Sequence, residues 1–152
     1  MVQTKSSPGT RRTSPEEAVY VDLLRTADML SRPVSLLLKN MDLSPAQYNV
    51  LRILRGSSGG LTCGEIGKRM ITRDPDITRL LDRLEKRGVI SRSREARDRR
   101  VVLTRITREG LELLAQLDQP IQEAHQALLG HLGRERIQAL MSLLASCRNE
   151  AQ

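Results

Sequence analysis

The chain has 152 residues, 25 of them Lys or Arg against 18 Asp or Glu, which leaves a surplus of +7 and a pI near 10.2. A composition 39% hydrophobic and 28% charged belongs to one folded domain, or one domain with helical arms, and excludes a disordered or collagen-like chain. There is no Phe and no Trp, only Tyr20 and Tyr48 are aromatic, and Leu occurs 24 times, so the core must be aliphatic and mainly helical, and modules that stack single-stranded bases on rings are disfavoured.

Residues 1–13 are polar and basic and read as a disordered tail. Ser14-Pro15-Glu16-Glu17 starts a helix: Ser caps, Pro takes the first turn where its missing N–H is harmless, and Glu closes a capping box. Tyr20, Leu23, Leu24, Ala27, Leu30, Val34, Leu37 and Leu38 follow at helical spacing, with a kink expected at Pro33. Ser44-Pro45-Ala46-Gln47 opens a second helix with Val50, Leu51 and Leu54 inward, ended by Gly56. A short third helix starts at Thr62, with Glu65 completing its box and Leu61 placed to staple onto Ile66.

Asp74-Pro75 reads as the cap and first turn of a fourth helix. Ile77, Leu80, Leu81 and Leu84 form its apolar stripe, Asp76, Arg79, Arg83 and Lys86 its opposite face, and Gly88 its end. Two β-branched segments of period two, Val89–Arg94 and Val101–Ile106, predict a hairpin joined by Glu95-Ala96-Arg97-Asp98-Arg99-Arg100. Thr107 caps a fifth helix along Leu111, Leu114, Leu117, Ile121, Ala124 and Leu128, bent at Pro120. Gly130 and Gly133 separate it from a sixth with Ile137, Leu140, Met141 and Leu144.

Charge is unevenly spread along this plan. Residues 62–110 hold fourteen basic and eight acidic groups, whereas 16–61 balance and 111–152 carry a deficit of two. One sign concentrated in one segment marks a surface for a polyanion. Two short helices, a longer basic helix and a hairpin with an Arg-rich tip are the order of a winged helix-turn-helix, and each part has a task on duplex DNA. Arg73, Thr78 and Arg79 would meet the major groove, at base or phosphate, with Arg83 further along the same face. Asp76 either accepts from a cytosine amino group or, as fits an acid near phosphates better, caps the helix or orients an Arg. Ser44, Thr62 and Lys68 are candidates for backbone contact, although capping accounts for the first two. Arg97 and Arg99 at the hairpin tip suit the narrow minor groove, and basic groups along both elements would release counterions from phosphates.

Residues 44–110 resemble the MarR family of bacterial transcription regulators. The likeness rests on Leu43-Ser44-Pro45-Ala46-Gln47-Tyr48-Asn49-Val50-Leu51, on Ile77 through Ile90 (ITRLLDRLEKRGVI), and on Asp98-Arg99-Arg100 leading to Leu103-Thr104 and Thr107-Arg108-Glu109-Gly110. It implies a mainly α fold with a small β-hairpin wing, and an organisation into a dimerisation helix (14–41), a winged helix-turn-helix (42–110) and C-terminal dimerisation helices (111–152). It also implies a cytoplasmic homodimeric repressor on an inverted-repeat operator of double-stranded DNA, released by a small apolar or phenolic ligand. By the same resemblance Asp98 would orient a wing Arg and Arg100 would stand at the wing base. The family often has Asp-x-Arg-Asp-x-Arg here, and this chain begins with Glu95. The Leu-rich outer helices independently call for a partner surface, since no other core is large enough to cover them.

No constellation for catalysis is legible: Gly56-Ser57-Ser58-Gly59-Gly60 lacks the Lys and preceding strand of a phosphate loop, and no nucleophile elbow occurs. An enzyme is not expected, and neither is a cofactor. His125 and His131 read as surface histidines of a helical arm, not as a metal pair. Cys63 and Cys147 are 84 residues apart with no disulfide or zinc spacing. Cys63 in a first helical turn raises a redox-sensing alternative, but a small core cysteine fits better. A second alternative is an architectural or partner-binding winged-helix protein with little sequence preference. Tyr48 would line a ligand pocket or sit in the core. No apolar run reaches the roughly 20 residues a membrane span needs.

Overall fold

The computed structural model describes residues 14–149; the expected tail, residues 1–13, lies outside them. The chain divides between Arg32 and Pro33 into two units. The first belongs to helix α1 (Pro15–Asn40), which has Pro33 inside it and opens with Ser14 Oγ accepting the Glu17 N–H at 3.2 Å. Tyr20, Leu23 and Leu24 of its apolar face are exposed in the single chain, as are Val19 and Met29.

The second unit holds the last turns of α1, then α2 (Pro45–Arg55), α3 (Cys63–Arg69), α4 (Ile77–Lys86), strands β1 (Ile90–Arg94) and β2 (Val102–Ile106), α5 (Arg108–Leu129), a single 3₁₀ turn (Gly130–Leu132) and α6 (Gly133–Asn149). Two starts follow the predicted chemistry in full. Ser44 and Gln47 exchange hydrogen bonds around the first turn of α2, and Thr62 and Glu65 do the same for α3, so each box satisfies two donors that a helix start leaves free.

The start of α4 differs from the expectation. Asp74 does not cap it; its carboxylate accepts the Asp76 N–H at 2.8 Å, and Asp76 is the cap, accepting the Arg79 N–H at 3.3 Å. Two acids two residues apart offer the same capping chemistry, and the turn through Pro75 selects the second. Gly88, with φ +81, ends the helix in the left-handed conformation that glycine adopts without penalty.

The core is wholly aliphatic. Leu38 and Leu43, then Val50, Leu51, Leu54, Leu61 and Ile66, then Leu80, Leu81, Leu84, Val89 and Ile90 meet Leu113, Leu114, Leu117 and Ile121 of α5. Burying each such side chain is worth about 1.5–3 kcal/mol against leaving it in water, which sets the faces of α2, α3 and α4. On α5 the predicted register is off by part of a turn: Leu111 is 43% exposed, whereas Leu113 is buried. Leucines at 111, 113 and 114 permit two stripes, and the first turn decides between them. There Thr107 Oγ1 accepts the Gly110 N–H and donates to the Gly88 carbonyl at 2.7 Å. Gly110 then lies so near Val89 that a Cβ would stand 2.3 Å from its carbonyl oxygen.

Strands β1 and β2 pair antiparallel from Ile90 with Ile106 to Arg94 with Val102. Leu61 adds a short third edge, donating to the Thr104 carbonyl at 3.0 Å and accepting its N–H at 2.8 Å. The hairpin is thus anchored to the residue that precedes the α3 cap, which supplies the packing that two short strands need. A one-residue bridge has no periodicity, so only the staple role of Leu61 was legible. Helix α6 buries none of its residues whose burial is described, and Leu140, Met141 and Leu143 are 40%, 65% and 66% exposed. No helix among the described residues is long and apolar enough to cross a membrane.

Candidate nucleic-acid interface

The elements place the candidate residues in two groups. Around the start of α4, Arg73, Thr78, Arg79 and Arg83 are all exposed, because Leu80, Leu81 and Leu84 occupy the buried stripe of the same helix. Arg79, Arg83, Asp74 and Asp76 line one shallow recess. Asp76 is committed to the cap, and its second oxygen lies 4.0 Å from Arg79 Nη1, with both side chains more than half exposed. That pair is loose and exchangeable with solvent. Arg73 and Arg83 have no ion-pair partner among the described residues.

The second group is the loop between β1 and β2, where Arg97, Arg99 and Arg100 are exposed and without an ion-pair partner among the described residues. The resemblance has Asp98 orienting a wing Arg, and in the structure its side chain meets the backbone of one. Asp98 Oδ1 accepts the Arg100 backbone N–H at 2.9 Å, while its carbonyl accepts the Val101 N–H at 3.0 Å. It closes a turn and leaves the neighbouring guanidinium groups free. Glu95 likewise enters through its backbone, donating to the Val101 carbonyl at 2.9 Å.

Ser44 and Thr62 have their hydroxyls engaged in capping, and Lys68 is exposed near the end of α3. The Glu65 carboxyl is held below its ordinary range, first by the Thr62 backbone N–H and then by the Thr62 hydroxyl.

Sequence reasoning missed the residue that joins the two groups. Arg92, on β1, donates from Nε to Glu85 at 2.9 Å and from Nη2 to Glu85 at 2.6 Å and to Asp82 at 2.5 Å, while its backbone N–H meets Glu85 at 3.1 Å. The Glu85 carboxyl is lowered chiefly by the side-chain hydrogen bond from Arg92. One guanidinium of the wing thereby holds both acids and offsets one of their two charges, and neither acid is paired with an arginine of α4. Acids three residues apart share one helix face, but which basic residue meets them depends on how the strand returns past the helix, so spacing alone gives no signal for the bridge.

Beside this surface, Tyr48, Arg52 and Arg55 of α2 face Asp118, Ile121, Gln122, His125 and Gln126 of α5 across an open cavity of about 410 Å³. The Arg52 guanidinium stands 5.8 Å from the Tyr48 ring centroid, and Arg55 Nη1 donates to both Asp118 oxygens at 2.9 and 2.8 Å. Burial, its largest cause, pushes the Tyr48 hydroxyl pKa up. Tyr48 both lines the cavity and packs against the core, so neither of the two readings of it excludes the other.

Comparison with known proteins places these features. The MarR family model matches residues 43–102. The crystal structure of a MarR transcription factor from Planctomyces limnophilus is 37% identical, with 89% of this chain and 98% of that one covered and a TM-score of 0.67. A mutant MarR from Escherichia coli complexed with operator DNA is 27% identical, with 86% and 93% covered and a TM-score of 0.77. NadR in complex with 4-hydroxyphenylacetate is 26% identical, with 93% and 97% covered and a TM-score of 0.70. The chain belongs to the MarR family of winged-helix transcription regulators.

Proposed function

We propose that this regulator is a homodimeric repressor that reads an inverted-repeat operator. One observation carries the reading: unpaired guanidinium groups stand on α4 and on the wing loop, and the Arg92 bridge holds those two elements together. The start of α4, with Arg73, Thr78 and Arg79, enters the major groove; Arg97 and Arg99 reach the minor groove; Arg83, Arg100 and Lys68 neutralise phosphates. Asp76 serves as cap and keeps Arg79 near the groove edge. The exposed apolar residues of α1 and α6 are the surface a second copy covers, and twofold symmetry then presents two reading helices about one DNA turn apart. The solved complex of a MarR with operator DNA supports duplex as the partner.

The cavity beside Tyr48 supports control by a small phenolic anion. Arg52 offers a guanidinium and His125 a ring nitrogen to a carboxylate, while Ile121, Leu129 and Ile137 offer apolar walls to a ring. NadR holds such a molecule, 4-hydroxyphenylacetate. Because the cavity lies between α2 and α5, an occupant changes the spacing of the reading helices and favours release.

The reading is tested by the affinity of the full chain for the intergenic duplex upstream of its gene relative to unrelated duplex at one salt concentration. The expected ratio is about 10³ or more. A ratio near one would remove the repressor reading and leave an architectural protein.

A further inference from the structure

Arg87 follows the basic run of α4 and by charge alone belongs with the groove-facing arginines. Its guanidinium is engaged elsewhere. Nη1 donates to the Asp42 carbonyl at 2.6 Å and Nη2 donates to the Met41 carbonyl at 2.7 Å. Both carbonyls belong to the turn between α1 and α2, and neither accepts a backbone N–H among the described residues. That turn passes through Asp42 at φ 57, the left-handed conformation that Asp adopts more readily than most non-glycine residues. The Arg87 backbone N–H donates to the Arg83 carbonyl at 3.1 Å, so the side chain springs from the last turn of α4.

From this geometry we infer that Arg87 is a positioning residue whose fork ties the C-terminal end of the reading helix to the end of α1 and so fixes the half-site spacing that the dimer accepts. The inference rests on the dimeric reading proposed above. Arg92 does not serve this purpose, because its side chain ties α4 to the wing and makes no hydrogen bond to the α1–α2 turn among the described residues. Two donors fixed in one plane and meeting two adjacent carbonyls define an orientation as well as a distance, which a lysine ammonium cannot do. No other side-chain hydrogen bond runs from α4 to the α1–α2 turn among the described residues.

The experiment is enrichment from a random duplex library by the full-length chain as wild type, Arg87→Ala, Arg87→Lys and Arg83→Ala, followed by titration of the enriched duplexes. Wild type is expected to enrich an inverted repeat of one spacing. Both Arg87 variants should keep the half-site sequence, accept spacings one base pair shorter and longer, and lose about tenfold in affinity for the wild-type duplex, the lower end of the scale of a charge-assisted hydrogen bond. Arg83→Ala should weaken binding while keeping the single spacing. If Arg87→Ala fails to fold, Arg87→Lys decides alone. A single unchanged spacing in the Arg87 variants overturns the inference. So does restoration of affinity by lysine together with a shallower salt dependence for alanine, which would mark Arg87 as a phosphate contact. Wild-type enrichment of a half-site without a fixed spacing overturns it too, whereas enrichment of nothing by wild type removes the operator reading on which it stands.

Discussion

The reading head and the outer helices use the same residue type to opposite ends. In α2, α3 and α4, Val50, Leu51, Leu54, Ile66, Leu80, Leu81 and Leu84 are all buried within one chain, and each helix start has an occupied side-chain cap. In α1 only Leu38 is buried, and in α6 none of the residues whose burial is described, although both are rich in Leu. The head closes its core on itself with the first half of α5, whereas the outer helices hold their apolar surface for something else. A helix pattern read from sequence therefore tells that a face must be covered, and only the fold tells whether the same chain covers it.

Core substitution breaks the comparison on the side of the head. Leu84→Ala removes a side chain with no exposed surface at the centre of the α4 stripe, and a loss of about 3 kcal/mol is expected from urea unfolding. Leu143→Ala, on the exposed face of α6, should cost the isolated subunit under about 0.5 kcal/mol. Replacing Leu143 and Met141 together by Lys should instead act on assembly. We expect sedimentation to show single subunits with the helical circular dichroism retained, and affinity for the inverted repeat to fall about 100-fold as the second half-site loses its tether.

The roles proposed for the interface arginines separate base reading from charge. Arg79→Ala should cost about 1–3 kcal/mol on the operator and relax preference at the base pairs it reads, whereas Arg97→Ala should lower affinity for specific and unrelated duplex alike and flatten the salt dependence by about one ion. Titrations at several salt concentrations distinguish them. Neither should disturb the dimer.

The smallest effect concerns acid. Glu65 and Glu85 titrate lower in the folded chain than in the unfolded one, so the stability they contribute is present above the ordinary carboxylate range and is lost as pH falls through the folded values. Melting temperature should therefore drop between about pH 5 and pH 3, and less steeply in Glu65→Gln than in wild type. An identical drop in both would remove the Thr62–Glu65 box as a source of acid sensitivity.

Much of this was legible in the chain. Ser44–Gln47 and Thr62–Glu65 announce helix starts because capping chemistry is local, and the aliphatic stripes of α2 and α4 announce their faces because burial is periodic. What was not legible depends on groups distant in sequence. Leu61 pairs with Thr104, Arg92 with Asp82 and Glu85, and Arg87 with the carbonyls of Met41 and Asp42; none of these follows from spacing alone. The choice of Asp76 over Asp74 and of Leu113 over Leu111 has a different origin, since residues two apart offered equivalent chemistry and the tertiary setting selected one. At the candidate interface, charge and helix order identified the exposed arginines, while the backbone role of Asp98 depended on turn geometry.

The most direct test is sedimentation of the full chain with the upstream duplex at 0.15 M salt, following the mass of the complex as protein is added. The account predicts a step straight to two chains per duplex, with no one-chain complex populated. A stable complex of one chain per duplex, or binding that an equal mass of unrelated duplex competes away, would contradict it.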